Sequence, residues 1–270
     1  MSRQGSDFWN RADLAAVLQG ILRASGRSID ELSVADLAPL DQFHAGGREA
    51  TLSLARLLAP QPGTRVLDVG GGLGGPARTL AAEFACVVTV VDLTPDYLEA
   101  GAMLTKLVGL AEHVQFDFGD ALDLPYPPGS FDVVWTQNSG MNISDKAALY
   151  AGFRRVLRPG GRLATQEPVS GPNGPPIHFP LMWADDPGLS HVGTAEELVA
   201  TITGAGFIPL ANEPHLVAPG PLATFAIAGG QTYSIAELVK GDRLSEIMSA
   251  GKRNREEGRI ASLMAVFERA

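Results

Sequence analysis

From Thr64 onward the chain alternates short apolar runs with amphipathic stretches, a pattern that predicts a parallel sheet wrapped by helices. The runs lie at residues 65–69, 87–92, 114–118, 131–136 and 162–167, with helical patterns between them at 76–84, 95–108 and 146–157. The expected fold class is therefore α/β, a doubly wound and mostly parallel sheet. Arg158-Pro159-Gly160-Gly161 is expected to end the last of these helices, because proline cannot continue a helix and glycine supplies a left-handed cap.

The first sixty residues read differently. Helical patterns at 13–23, 28–37 and 47–58, with a turn at Gly26 and a stop at Pro60, predict an N-terminal helical cap over residues 1–60. The sheet domain then occupies 61–270, with insertions at 168–192 and 211–258. Residues 168–190 are rich in proline and glycine and have no periodicity. A loop this long in a compact domain is usually functional, and Phe179 and Trp183 favour a lid. Thr194 and Glu197 form a capping box for a helix over 194–205. A strand at 207–210 follows, then a mixed to helical stretch of about forty residues, and a last strand at 260–267.

Composition narrows the functions open to such a domain. A net charge of −9 across 270 residues, with no run of Lys or Arg, disfavours nucleic acid as a partner. The single cysteine, Cys86, excludes an internal disulfide and a cysteine metal cluster, and its apolar surroundings predict an inert thiol. A polar N-terminus and the lack of a membrane-length apolar run predict a soluble, cytoplasmic protein without a membrane partner.

The candidate chemistry begins where the first predicted strand ends, at Val66-Leu67-Asp68-Val69-Gly70-Gly71-Gly72-Leu73-Gly74-Gly75. Glycines let a cofactor approach the backbone closely, and the following helix offers unpaired N–H groups. Gly70, Gly72 and Gly75 also satisfy the dinucleotide spacing, so the glycines alone do not choose the cofactor. Asp68 does. A pyrophosphate would pass close to that carboxylate, whereas the cationic amino group and sulfonium of S-adenosylmethionine suit it. Asp92, followed by Leu93, ends the second strand about twenty residues beyond the glycines, where an acidic residue holds ribose hydroxyls. Its other possible role is a helix N-cap, but Thr94 and Pro95 take the cap and first helical positions. Gly119-Asp120-Ala121 closes the third strand. Asp120 is either the acceptor for an adenine amino group or an ordinary turn aspartate. Gln137 and Asn138 end the fourth strand, which should face the reactive end of the ligand.

These motifs, with Phe131-Asp132-Val133-Val134 and Leu157-Arg158-Pro159-Gly160-Gly161 in the same order, resemble class I S-adenosylmethionine-dependent methyltransferases. Asp41-Gln42-Phe43-His44, Gly74-Gly75-Pro76-Ala77 and Asn142-Ile143-Ser144-Asp145-Lys146 resemble the small-molecule branch, which includes sarcosine/dimethylglycine, phosphoethanolamine and sterol or tocopherol enzymes. The resemblance implies a seven-stranded sheet whose last strand is antiparallel. It also implies a methionine site at Gly70 and Gly72, with Gly71 and Gly74 in the same loop, and an adenine site at Asp120 and Ala121. Asp92 would hold the ribose and Gln137 the amino group. Related sequences often carry His where this chain has Asn142, and Asn cannot act as a base near neutral pH. They often carry Cys at the position of Gly71, a change expected to cost little.

Methyl transfer from a sulfonium is an in-line displacement, so alignment should supply most of the rate, and no metal is expected. Candidates for catalysis are His44, Asn142 and Glu167, and candidates for acceptor contact are Arg48, Met141, His178, Trp183 and His191. His44 could equally be a capping histidine, Glu167 could pair with an arginine, and Trp183 could anchor the loop. The expected partner is a small-molecule acceptor, with the protein a monomer or homodimer. An amine nitrogen is the first choice of methylated atom, and an oxygen or carbon of a natural product or lipid-like metabolite the second. More distant alternatives are a nicotinamide-dependent oxidoreductase and a cofactor-binding protein without turnover.

Overall fold

The computed structural model describes Trp9 and residues 11–210, 215–216 and 223–270. Helices α1 (Leu14–Ala24), α2 (Val34–Asp41) and α3 (Gly47–Leu58) precede the sheet. There follow β1 (Arg65–Val69), α4 (Gly75–Phe84), β2 (Val87–Asp92), α5 (Pro95–Leu107), β3 (Val114–Phe118) and β4 (Phe131–Gln137). After α6 (Lys146–Val156) come β5 (Leu157–Ser170), α7 (Ala195–Gly204), β6 (Phe207–Pro209) and β7 (His215–Leu216). A two-stranded ribbon of β8 (Phe225–Ala226) and β9 (Thr232–Tyr233), helices α8 (Ile235–Lys240) and α9 (Leu244–Glu256), and strand β10 (Ile260–Arg269) complete the order.

The main sheet runs β3-β2-β1-β4-β5-β10-β6, and β7 adds to β10. Strands β3 through β5 are parallel, and β10 is antiparallel to both β5 and β6. This is the seven-stranded path with one reversed strand that the motifs implied. Strand order turns back between β1 and β4, and a crevice opens there beyond the carboxyl ends of the strands.

Side chains of adjacent strand residues feed opposite faces. Leu67, Val134 and Leu163 pack with Tyr150, Phe153 and Ile202 of α6 and α7. Val66, Val133 and Ala164 pack with Leu54, Leu58, Ala77 and Leu80 of α3 and α4. A third cluster joins Leu14, Leu18 and Leu22 of α1, at helical spacing, to Leu37, Leu40, Tyr97 and Leu104. Cys86 is fully buried and its thiol is pushed up to about 11 by that burial, so it is inert as expected.

Two expectations need correction. The helix expected at 28–37 instead begins at Val34, because Ser33 and Asp36 form the capping box: Ser33 Oγ accepts from the Asp36 N–H and Asp36 Oδ2 accepts from the Ser33 N–H. Residues Ile29–Glu31 are only a 3-10 turn. The turn at Arg158–Gly161 does not end α6, which stops at Val156 with Leu157 already extended. Residues 158–161 instead lie within β5 as an irregularity in its pairing with β4, with Gly160 at φ +66°. Part of the insertion expected at 211–258, namely 211–214 and 217–222, lies outside the described residues.

A buried ion pair joins α2 to α4. Arg78 and Asp41 are both buried, and Arg78 Nε and Nη2 donate to Asp41 Oδ2 at 3.2 and 2.8 Å. Nη1 donates to Gly101 O and Thr105 Oγ1, and Nη2 also donates to Leu73 O, so every guanidinium N–H has an acceptor. Arg78→Met leaves the Asp41 carboxylate buried without its partner and should cost about 3–5 kcal/mol in urea unfolding. The double variant Arg78→Met/Asp41→Leu should recover only part of that loss, because Leu73 O and Gly101 O still lack their donor. Full recovery would show that the carboxylate alone matters.

Candidate functional site

A cleft of about 960 Å³ opens at the switch point between β1 and β4. Its floor is the loop from β1 to α4. Gly70 has φ +69°, and a Cβ there would come within 2.4 Å of the Ser139 Cβ, so only glycine fits. A Cβ at Gly71 would approach Asp68 Oδ2 to 2.5 Å. A larger residue at Gly71 would therefore have to displace the Asp68 carboxylate.

Two carboxylates stand at the ends of β1 and β2. Asp68 is 1% exposed, and its Oδ2 has no hydrogen-bond partner among the described residues. Burial first, and then the nearby Asp92 charge, raise its pKa to about 8. Asp92 Oδ2 accepts from the Gly72 N–H at 3.0 Å and Oδ1 from the Thr94 N–H at 2.9 Å. Asp92 thus braces the glycine loop and the start of α5 while lining the cleft. Burial raises its pKa as well, against those hydrogen bonds.

The cleft wall also includes Leu93, Gly119, Asp120, Ala121, Gln137 and Asn138, each expected from the sequence. Asp120 Oδ1 accepts from the Leu122 N–H at 2.9 Å, so the turn role is present and the residue still faces the cleft. The Gln137 side chain is engaged inside the protein: Nε2 donates to Gln166 Oε1, and Oε1 accepts from Trp135 Nε1 and Thr51 Oγ1. Asn138 has φ +54° and a buried Oδ1 without a partner among the described residues. Gly74 is not on the wall. It caps α4 at φ +72° and packs against Phe116.

His44 and Asn142 line the cleft, and the other acceptor-side candidates do not. Burial lowers the His44 pKa to about 4, so the ring is neutral. Asn142 Nδ2 donates to Trp183 O and Leu189 O at 2.8 and 3.0 Å, which ties the lid loop to the turn after β4. Glu167, expected at the cleft mouth, turns inward. Its Oε1 accepts from the Gly140 N–H at 2.9 Å and holds that turn, and burial raises its pKa. Lys146 Nζ donates to Gly140 O and Ile143 O on the same turn. Met141 is buried with Trp183, Leu181 and Ala184, so Trp183 anchors the loop. Trp183 Nε1 donates to Ser190 Oγ.

Arg48 pairs with Glu83 on α4. His178 is held by Asn254 through its backbone and by Glu257 Oε2 at 2.8 Å through Nε2. The His191 N–H donates to Met141 O, and burial and Lys146 lower the pKa of its ring. These three residues serve the scaffold. Sequence reading missed Trp9, Phe43, Thr94, Tyr97, Ser139 and Ile143, all of which line the cleft. Trp9 meets Phe43 edge-on at 5.7 Å and lies under Lys240 Nζ at 4.2 Å. Thr94 stood out only as a helix cap, and Phe43 and Ile143 only as members of longer motifs.

A family model described as a methyltransferase domain matches residues 67–165. Methyltransferase GfsG of Streptomyces halstedii is 36% identical over 134 residues, which is 50% of this chain and 48% of that protein. Phosphoethanolamine N-methyltransferase 1 of Arabidopsis thaliana is 33% identical over 134 residues, 50% of this chain and 27% of that protein. The chain thus matches about half the length of the first relative and about a quarter of the second. A solved geranyl diphosphate methyltransferase, in complex with GPP and sinefungin, is similar in fold, with a TM-score of 0.68 at 20% identity over 93% of this chain and 98% of that one.

The crowding at Gly71 makes a sharp prediction. Gly71→Ala should lower thermal unfolding stability by about 1–3 kcal/mol through the forced shift of Asp68. Gly20→Ala, in α1 with nothing within 4 Å of the added methyl, should be neutral or stabilising by up to about 1 kcal/mol. Equal effects of the two changes would refute the contact with Asp68.

Proposed function

The chain carries a class I S-adenosylmethionine-dependent methyltransferase domain, and on that premise we propose that it methylates an amine nitrogen of a small molecule, with S-adenosylmethionine as donor. The observation that carries this reading is the pair of buried carboxylates around the glycine loop. Asp68 Oδ2 and Asn138 Oδ1 are buried acceptor atoms without a partner among the described residues, and they suit a ligand with a cationic amino group. Asp92 has lone pairs left for ribose hydroxyls, and Asp120 and Ala121 close the side where adenine would lie. When bound, the donor supplies a methyl group on a positively charged sulfur, already activated for displacement.

The cleft is also lined by Trp9, Asp41, Phe43, His44, Asn142 and Ile143. Asp41 is committed to its ion pair with Arg78, and burial makes His44 a weak base by lowering its pKa to about 4. Such a wall favours a nucleophile that needs no deprotonation, which a neutral amine is and an alcohol is not. The rings of Trp9 and Phe43 can stabilise the cation that forms on nitrogen as methyl transfer proceeds. The protein's own contribution is to orient the acceptor and exclude water.

The direct test supplies isotope-labelled S-adenosylmethionine and a small-molecule extract of the native host, read by mass spectrometry. A labelled amine is expected. A labelled ether or carbon centre would replace the nitrogen reading, and no product despite tight donor binding would leave either an acceptor absent from the extract or a binding protein without catalysis. Competition of NADH with S-adenosylhomocysteine for the cleft would instead favour an oxidoreductase.

Asp68 gives a second test, with a definite sign. Without ligand its carboxyl keeps a proton up to about pH 8. A ligand ammonium favours the ionised form, so binding at pH 7 should release a proton and affinity for S-adenosylhomocysteine should rise with pH towards 8. Calorimetry in two buffers of different ionisation enthalpy measures the release, and Asp68→Asn should abolish it. Equal proton release by that variant would assign the titration elsewhere.

A further inference from the structure

Below His44 a chain of side-chain hydrogen bonds runs from α4 to the cleft. Thr79 Oγ1 donates to Gly75 O at 3.0 Å, which fixes its single proton. The Gln42 amide nitrogen lies 3.1 Å from that oxygen and donates to it. Gln42 therefore presents its carbonyl Oε1 in the other direction, 2.9 Å from His44 Nε2. A carbonyl oxygen at that distance requires a proton on Nε2.

The second ring nitrogen competes for the proton: His44 Nδ1 is 3.3 Å from Ala45 O, which also accepts from Gln166 Nε2 at 2.9 Å. A neutral ring has one proton to give, and the shorter contact, 2.9 Å to Gln42 Oε1, places it on Nε2. Thr51 Oγ1, 3.1 Å from Nε2, can share the Nε2 proton while giving its own to Gln42 or Gln137. The ring does not satisfy both sides by taking a second proton, since burial keeps it neutral down to about pH 4.

We infer that Thr79 and Gln42 are positioning residues that hold His44 as the Nε2–H tautomer and leave Nδ1 as the ring's hydrogen-bond acceptor. On the amine-methylation reading, on which this role rests, Nδ1 accepts an N–H of the neutral acceptor and so turns the nitrogen lone pair towards the methyl group. The helix that follows the glycine loop thereby sets the polarity of an acceptor-side side chain.

The tautomer is measurable without turnover, by long-range nitrogen–proton NMR on histidine-labelled protein near neutral pH, with the His44 signal assigned by its loss in His44→Gln. The expected wild-type spectrum has a pyrrole-type Nε2 and a pyridine-type Nδ1. The opposite pattern would overturn the inference whether or not the protein methylates anything. Thr79→Val frees the Gln42 amide to turn and should move the proton towards Nδ1, while Thr79→Ser should keep the wild-type pattern. An unchanged tautomer in Thr79→Val would overturn the relay. If a labelled amine is found as product, Thr79→Val should also lower kcat about tenfold with little change in the donor KM, and Thr79→Ser should restore it.

Discussion

The guanidinium of Arg78 is the constraint from which the rest of the site follows. A buried cation is tolerated only when its donors are all met, and here the acceptors come from four separate pieces of chain: the end of α2, the glycine loop, and two turns of α5. Meeting them fixes where Asp41 sits, and Asp41 leads directly into Gln42, Phe43 and His44. The segment that carries His44 is therefore positioned by the helix that follows the glycine loop. Both walls of the cleft share one anchor.

A second anchor works on the far side. Glu167 and Lys146 hold the turn Gly140–Asn142 by its N–H and C=O groups, and Asn142 passes that order on to the lid through Trp183 O and Leu189 O. The burial of Glu167 is thus a matter of shape. Its carboxylate satisfies the backbone N–H of Gly140 where the chain leaves β4, and Asn142 on the same turn holds Trp183 O and Leu189 O.

Much of this was legible in the sequence, for a physical reason. β1 and β2 are short, mainly apolar runs and the edge strand β3 alternates apolar with polar residues, so the three fall at 65–69, 87–92 and 114–118 as the pattern predicts. The glycines, Asp68 and Asp92 announce themselves because close backbone approach and buried charge admit few residue types. Partnership at long range leaves no such mark. Strand β5 continues through Ser170 because Ile260 pairs with it from the far end of the chain. The roles of Arg48, His178, Trp183 and Glu167 depend on which way each side chain turns, and that was decided by Glu83, Glu257, Ser190 and Gly140 respectively. Trp9 carries no local signal at all, yet it forms part of the cleft wall.

The place of β10 has a bearing on how the molecule comes into being. This strand lies between β5 and β6, with Phe267 fully buried in the core. Before β10 arrives, β6 has no neighbour in the sheet and one long edge of β5 lies open. A ribosome delivers the chain from its amino end, so the parallel half can assemble early while the other half waits for nearly all of the residues seen here. The unpaired edge of β5 is the part most in need of shielding during synthesis.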